Sequence, residues 1–150
     1  MMPTLLVLLL CLFLTPTKQQ GYEGAGIQLF TPDRTKTLLV QGQRSGRWGW
    51  TKGHRDSVDK SWLETAIREV KEESGFVYGI HYSICNSFPQ QWGKRLYWQG
   101  VTYLDEPVPI HNVSEHRNIQ WVALNDVSLL ETTKDVNEWT YLSNSVVCDF

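Results

Sequence analysis

Glu69, Glu72 and Glu73 fall three and four residues apart, a spacing that on a helix gathers three carboxylates onto one patch of surface. Such crowding costs roughly a few tenths of a kcal/mol per like-charged pair. A divalent cation reverses that sign, because clustered carboxylate oxygens are the ligands hard ions such as Mg2+ prefer. Arg68 stands among them as charge balance. The bland alternative is a solvated acidic face with Arg68 held by Glu64 one turn earlier.

The element that must carry these groups is a short amphipathic helix beginning near Ser61. Ser61 followed by Glu64 has the form of a capping box, which satisfies free amide donors at a helix start. Leu63, Ala66, Ile67 and Val70 recur at helical spacing as one apolar stripe beside the acidic patch. Gly75 suits the left-handed residue just past the helix end.

Around this helix the pattern predicts strands over 25–30 and 37–42, joined by the turn Thr31-Pro32-Asp33-Arg34. A glycine-rich loop over 45–53 leads into the helix, and Trp48 and Trp50 within it read as packing or as pocket walls. Further strands are expected over 81–85, 96–104 and 119–122. Asn125-Asp126-Val127 opens a C-terminal helix through Leu130, with an extension toward Trp139 and Leu142. Between 88 and 95 lies a turn or loop in which Trp92, Lys94 and Arg95 set a ring beside cations. That suits a base and a phosphate chain, and equally an ordinary hairpin tip.

At 150 residues the chain makes one domain, with 41% apolar and 20% charged residues as in an ordinary globule. A net charge of −2 gives no broad field for nucleic acid or membrane surfaces, so a phosphorylated ligand must be held by local groups and metal. The apolar run over 5–14 is too short to span a bilayer but has the length of a signal-peptide core, so residues 1–20 are expected to be a secretory leader and 21–150 the folded domain. The other readings are an unprocessed arm or a buried strand in a cytoplasmic protein. If the leader is removed, Cys85 and Cys148 remain, either as a disulfide or as two buried thiols. Asn112-Val113-Ser114 is then a glycosylation acceptor.

Gly53, Arg68-Glu69-Val70, Glu72-Glu73 and Gly75-Phe76 together resemble the Nudix box. Two departures stand out. Counted from Gly53, the first Glu position of the box holds Asp59; counted back from Arg68 it holds Lys60, so the loop carries one extra residue. The segment Gly46-Arg47-Trp48-Gly49-Trp50-Thr51-Lys52-Gly53-His54, with Leu63-Glu64-Thr65-Ala66, Tyr97-Trp98 and Glu115-His116, is similar to the diadenosine tetraphosphate hydrolases of that family.

The resemblance implies an α/β class fold, a Nudix α/β/α sandwich around a mixed β-sheet. It implies hydrolysis of a phosphoanhydride in a nucleoside diphosphate linked to another moiety, with a dinucleoside polyphosphate as the nearest substrate. Glu69, Glu72 and Glu73, with the Gly53 carbonyl and Glu115, would hold Mg2+ or Mn2+. Glu69 or Glu73 would take a proton from water, with Arg68 orienting the carboxylates. Lys52, Trp92, Lys94 and Tyr97 would contact the nucleotide. The Asp59-Lys60 departure motivates a second reading, a secreted module that binds nucleotide without turnover. An RNA 5′-end is a third, chemically reasonable substrate.

Overall fold

A computed structural model describes residues 21–148. The expected leader lies outside the described residues. β1 (Gly24–Phe30) and β2 (Lys36–Gly42) form a hairpin around the expected turn. β3 (Trp48–Gly49) and β4 (Thr51–Gly53) follow, then α1 (Trp62–Ser74), β5 (Tyr82–Ile84), β6 (Gln90–Trp92), β7 (Arg95–Thr102) and β8 (His116–Ala123). A 3-10 helix (Leu124–Leu129) and α2 (Lys134–Leu142) complete the order.

The strands make one eight-stranded mixed sheet. β1 runs parallel to β7, from Gly24 opposite Arg95 to Phe30 opposite Val101, while its other partners β2 and β4 are antiparallel. Every residue of β1 is buried, as befits a strand covered on both faces. Alternation divides its side chains: Ala25, Ile27 and Leu29 meet Ala66 and Val70 of α1, and Phe30 meets Val136 and Trp139 of α2. β7 repeats the division, with Leu96 and Trp98 toward α1 and Tyr97 and Val101 toward α2. This is the expected α/β/α sandwich.

The α1 boundaries follow local chemistry. Ser61 Oγ accepts from the Glu64 amide at 3.2 Å, and Gly75 closes the helix at φ 78°. A left-handed residue there costs a side chain about 1 kcal/mol or more, which glycine avoids. The second half of the cap is displaced by one residue: the Glu64 carboxylate accepts from the Lys60 amide rather than from that of Ser61.

Of the two readings of 88–95, the hairpin tip is the one found, since β6 pairs with β7 around Gly93 and Lys94, with Gly93 at φ 59°. Two expectations change. The glycine-rich loop is partly strand, because β3 pairs with β2 and β4 with β1. The single C-terminal helix is two helices. Glu131 and Thr133 are used elsewhere: the Trp48 amide donates to Glu131 O, and the Thr133 amide to Trp48 O, each at 2.8 Å. Those bonds hold 131–133 extended beside β3, so no helix can run through it.

Cys85 and Cys148 are joined by a disulfide that ties the C-terminal segment to the sheet. Beside it the Val147 amide donates to the Gln99 carboxamide, and the Arg34 guanidinium to Cys148 O at 3.1 Å.

Candidate active site

α1 lies across β4, and that crossing sorts the acidic cluster. Glu69 and Glu73 turn inward and are buried, 8% and 3% exposed, whereas the Glu72 side chain is half exposed. The approach requires glycine at 53: a Cβ there would stand 2.1 Å from the Glu69 carboxyl. One residue earlier, the Lys52 amide donates to Glu73 Oε1 at 3.4 Å. Gly24 approaches the same strand end closely: a Cβ at 24 would sit 2.5 Å from the Gly53 carbonyl oxygen.

Arg68 fastens the box loop to the helix. Its Nη1 donates to Glu69 at 2.9 Å and Glu72 at 3.0 Å, and its Nη2 to Asp59 at 2.9 Å and the His54 carbonyl at 3.0 Å. Asp59 also accepts from the Asp56 amide and the Thr65 hydroxyl, each at 2.9 Å. The hydrogen bond from Arg68 holds the Asp59 carboxyl well below the usual range despite burial. Asp59 thus serves as the arginine's anchor in the folded loop, while Lys60 is exposed and does not line the cleft.

A cleft of about 500 Å3 opens over this arrangement, lined by Lys52, Gly53, the 54–57 loop, Arg68, Glu69, Glu73 and Glu115. Buried Glu73, exposed Glu115 and half-buried His116 bring ligand-capable atoms within 4.8 Å of one another. Glu73 Oε2 is buried without a hydrogen-bond partner, and His116 Nε2 lies 3.7 Å from it. Burial pushes the Glu73 carboxyl well above its ordinary value, opposed chiefly by Lys52. Burial, then Lys52, brings His116 down to about 4, so its imidazole is neutral near pH 7. An orphaned carboxylate oxygen with a second carboxylate and a neutral imidazole close by makes a donor set that a divalent ion can take in place of water. The residues fit such an ion, with Glu69, Glu73, Glu115, His116 and the Gly53 carbonyl available to hold it. Glu72 is turned toward Arg68 instead.

The expected nucleotide contacts divide. Lys52 stands in the cleft wall. Lys94 is exposed at the β6–β7 tip and pairs with Glu23 at 3.3 Å. Trp92 packs against the core under α2. Tyr97 is a correction: its side chain is fully buried and its hydroxyl donates to Asp135, so it has no surface to offer a ligand. Asn112 sits on the turn before β8, its Oδ1 accepting from Ser114 Oγ at 2.8 Å. Sequence reasoning missed His116 as a ligand and His54, Arg55, Asp56 and Ser57 as cleft wall. A histidine directly after Glu115 was the available signal.

A mixed sheet between helices, with carboxylates of one helix turned in against a glycine strand end, makes an α/β/α domain with an acidic cleft at one strand end. The chain belongs to the NUDIX family: the family model described as NUDIX domain matches residues 23–142. Among solved structures, an Ap4A hydrolase of C. elegans in a binary complex superposes with a TM-score of 0.62 at 22% identity, over 73% of this chain and 86% of that one. RenU, a Nudix hydrolase of M. smegmatis, gives 0.63 at 18% identity over 81% and 83%. The NUDIX domain of Shewanella oneidensis NrtR, complexed with ADP ribose, gives 0.59 at 20% identity over 93% and 95%. These likenesses show the fold. In sequence, the m7GpppN-mRNA hydrolase of Saccharomyces cerevisiae is 43% identical over 51 residues, 34% of this chain. The chain spans about 5% of the length of the curated relatives it matches.

Proposed function

We propose that the chain hydrolyses a phosphoanhydride bond in a nucleoside diphosphate linked to another moiety, with a dinucleoside polyphosphate such as diadenosine tetraphosphate as the best-fitting substrate. The observation that carries this is the pair of inward carboxylates, Glu69 and Glu73, buried at the floor of a 500 Å3 cleft beside Glu115, His116 and the glycine at 53. Bound Mg2+ or Mn2+ would supply charge neutralisation of the phosphate oxygens and a more acidic water. Glu69 or Glu73 takes the proton of the attacking water, since burial raises both carboxyls toward the working pH. Arg68 keeps Glu69 aimed through its 2.9 Å bond, and Lys52 offers its ammonium to the phosphate chain from the cleft wall.

The similarity to the yeast m7GpppN-mRNA hydrolase supports a second substrate of the same chemistry, a polyphosphate bridge at an RNA 5′-end. One experiment separates the readings: incubate the chain with Mg2+ and diadenosine tetraphosphate, ADP-ribose or a cap dinucleotide, and resolve the products by anion exchange. Diadenosine tetraphosphate is expected to be cleaved fastest. No turnover of any of them, with nucleotide still bound, would leave a binding module.

We further propose that the chain enters the secretory route. The Cys85–Cys148 disulfide supports an oxidising compartment, and Asn112 is partly exposed just before β8. Expression of the full chain in secreting cells, followed by N-terminal sequencing of the medium, is expected to find a start near residue 21; recovery only inside the cell would reject this.

A further inference from the structure

Behind Lys52, on the side away from the box loop, lies a second and smaller cavity of about 70 Å3. Its wall includes Ser45, Arg47, Lys52, His116 and Thr133, and no carboxylate lines it. Among the described residues neither the Arg47 guanidinium nor the Lys52 ammonium has a carboxylate within ion-pair distance. Two polar atoms of the wall, His116 Nδ1 and Thr133 Oγ1, are buried with no hydrogen-bond partner. Buried polar groups are ordinarily paired, so orphans beside two cations that have no carboxylate within ion-pair distance mark a place for an anion.

We propose that this cavity is a phosphoryl subsite, filled by a phosphate group next in line to the bond that is cleaved. Lys52 lines both this cavity and the carboxylate cleft, so a phosphate chain bound over Glu69 and Glu73 reaches it by crossing Lys52. The cavity has room for one phosphoryl group and not for a nucleoside. Its substrate class is therefore a chain of three or more phosphates, and a diphosphate-linked compound leaves it empty. This rests on the reading of the larger cleft as the hydrolytic site.

The test compares binding of inorganic tripolyphosphate and pyrophosphate by calorimetry at one fixed free Mg2+ concentration, in the wild type, Arg47→Gln and Thr133→Val. Neither substitution touches the carboxylate cluster. Tripolyphosphate is expected to bind the wild type at least about tenfold more tightly than pyrophosphate, one charge-assisted contact being enough for that ratio. Each variant should lose most of that margin while keeping its pyrophosphate affinity. Equal affinities in the wild type, or variants that weaken both ligands alike, would overturn the subsite. Hydrolysis is read separately: a protein that turns over nothing yet shows the margin retains the subsite and loses the enzymatic reading. One that cleaves ADP-ribose but shows no margin does the reverse.

Discussion

Arg68 and Asp59 are locked face to face, the arginine's Nε and Nη2 donating to the carboxylate at 3.1 Å and 2.9 Å. Asp59 sits where the length of the box loop departs from the family pattern, and it is 8% exposed. The extra residue is absorbed in the turn between Asp56 and Asp59, closed by the Asp59 amide donating to Asp56 O at 3.0 Å. A shorter acid then reaches the same guanidinium that steadies Glu69.

Replacing Asp59 by Asn should destabilise the fold by about 2 kcal/mol, because the arginine keeps Glu69 and Glu72 but loses its most buried partner. The pH dependence follows from the depressed carboxyl. With a folded value below the unfolded one of about 3.9, the contribution is fully present above pH ~4 and is lost as pH falls further. Urea titrations between pH 7 and pH 2.5 should therefore show a shallower acid loss in Asp59→Asn than in the wild type. Parallel curves would mean that the pair contributes nothing to acid sensitivity.

Glu73 makes the opposite prediction. Its Oε2 is buried and unpartnered, and burial raises its carboxyl well above the ordinary value. Without metal, Glu73→Gln should stabilise the protein by about 1 kcal/mol, since a buried charge is removed. With millimolar Mn2+ the order should reverse, because only the wild type gains binding energy from the ion. Turnover in Glu73→Gln should fall at least about 100-fold. Thermal melts with and without EDTA read the stability terms, and an unchanged ranking would remove Glu73 from the metal site.

The disulfide closes a loop of 63 residues, worth about 4 kcal/mol in the chain-entropy account. Cys148 packs in the core under α2, on the face of the sheet opposite α1 and its carboxylates. Reduction, or the pair Cys85→Ser with Cys148→Ser, should therefore lower the denaturation midpoint strongly and leave kcat at 25 °C within about twofold. A large loss of kcat in protein still folded would mean that the C-terminal tie reaches the catalytic face.

How much of this was readable from residues alone depended on the range of the forces involved. α1 was legible because Ser61, the apolar stripe and Gly75 act within a few residues of one another. β1, β2 and β7 declared themselves by composition. The break before α2 did not, because it is imposed by Trp48 from across the sheet. The acidic cluster was legible as a cluster, yet helical spacing could not say that Glu69 and Glu73 face β4 while Glu72 faces Arg68. That division comes from the angle at which α1 crosses the strand ending at Gly53. His116 reaches Glu73 only because β8 pairs along β2, a contact between distant segments that no local pattern encodes.

Tyr97 is where the family resemblance pointed the wrong way, and the correction is itself testable. The resemblance implies a nucleotide contact at Tyr97, but alternation on β7 turns it toward α2, against Trp50 at 5.2 Å between ring centroids. Its hydroxyl donates to Asp135, a carboxylate 3% exposed whose other side-chain partner is Arg95 at 3.3 Å. Tyr97→Phe therefore removes one of two donors from a buried charge and should cost about 2 kcal/mol of stability. Since no part of the ring reaches the cleft, KM for any nucleotide should stay within about twofold of wild type at temperatures where the variant is folded. A selective rise in KM with stability unchanged would return Tyr97 to the binding site, and would require the β7 side chains to rearrange when substrate enters.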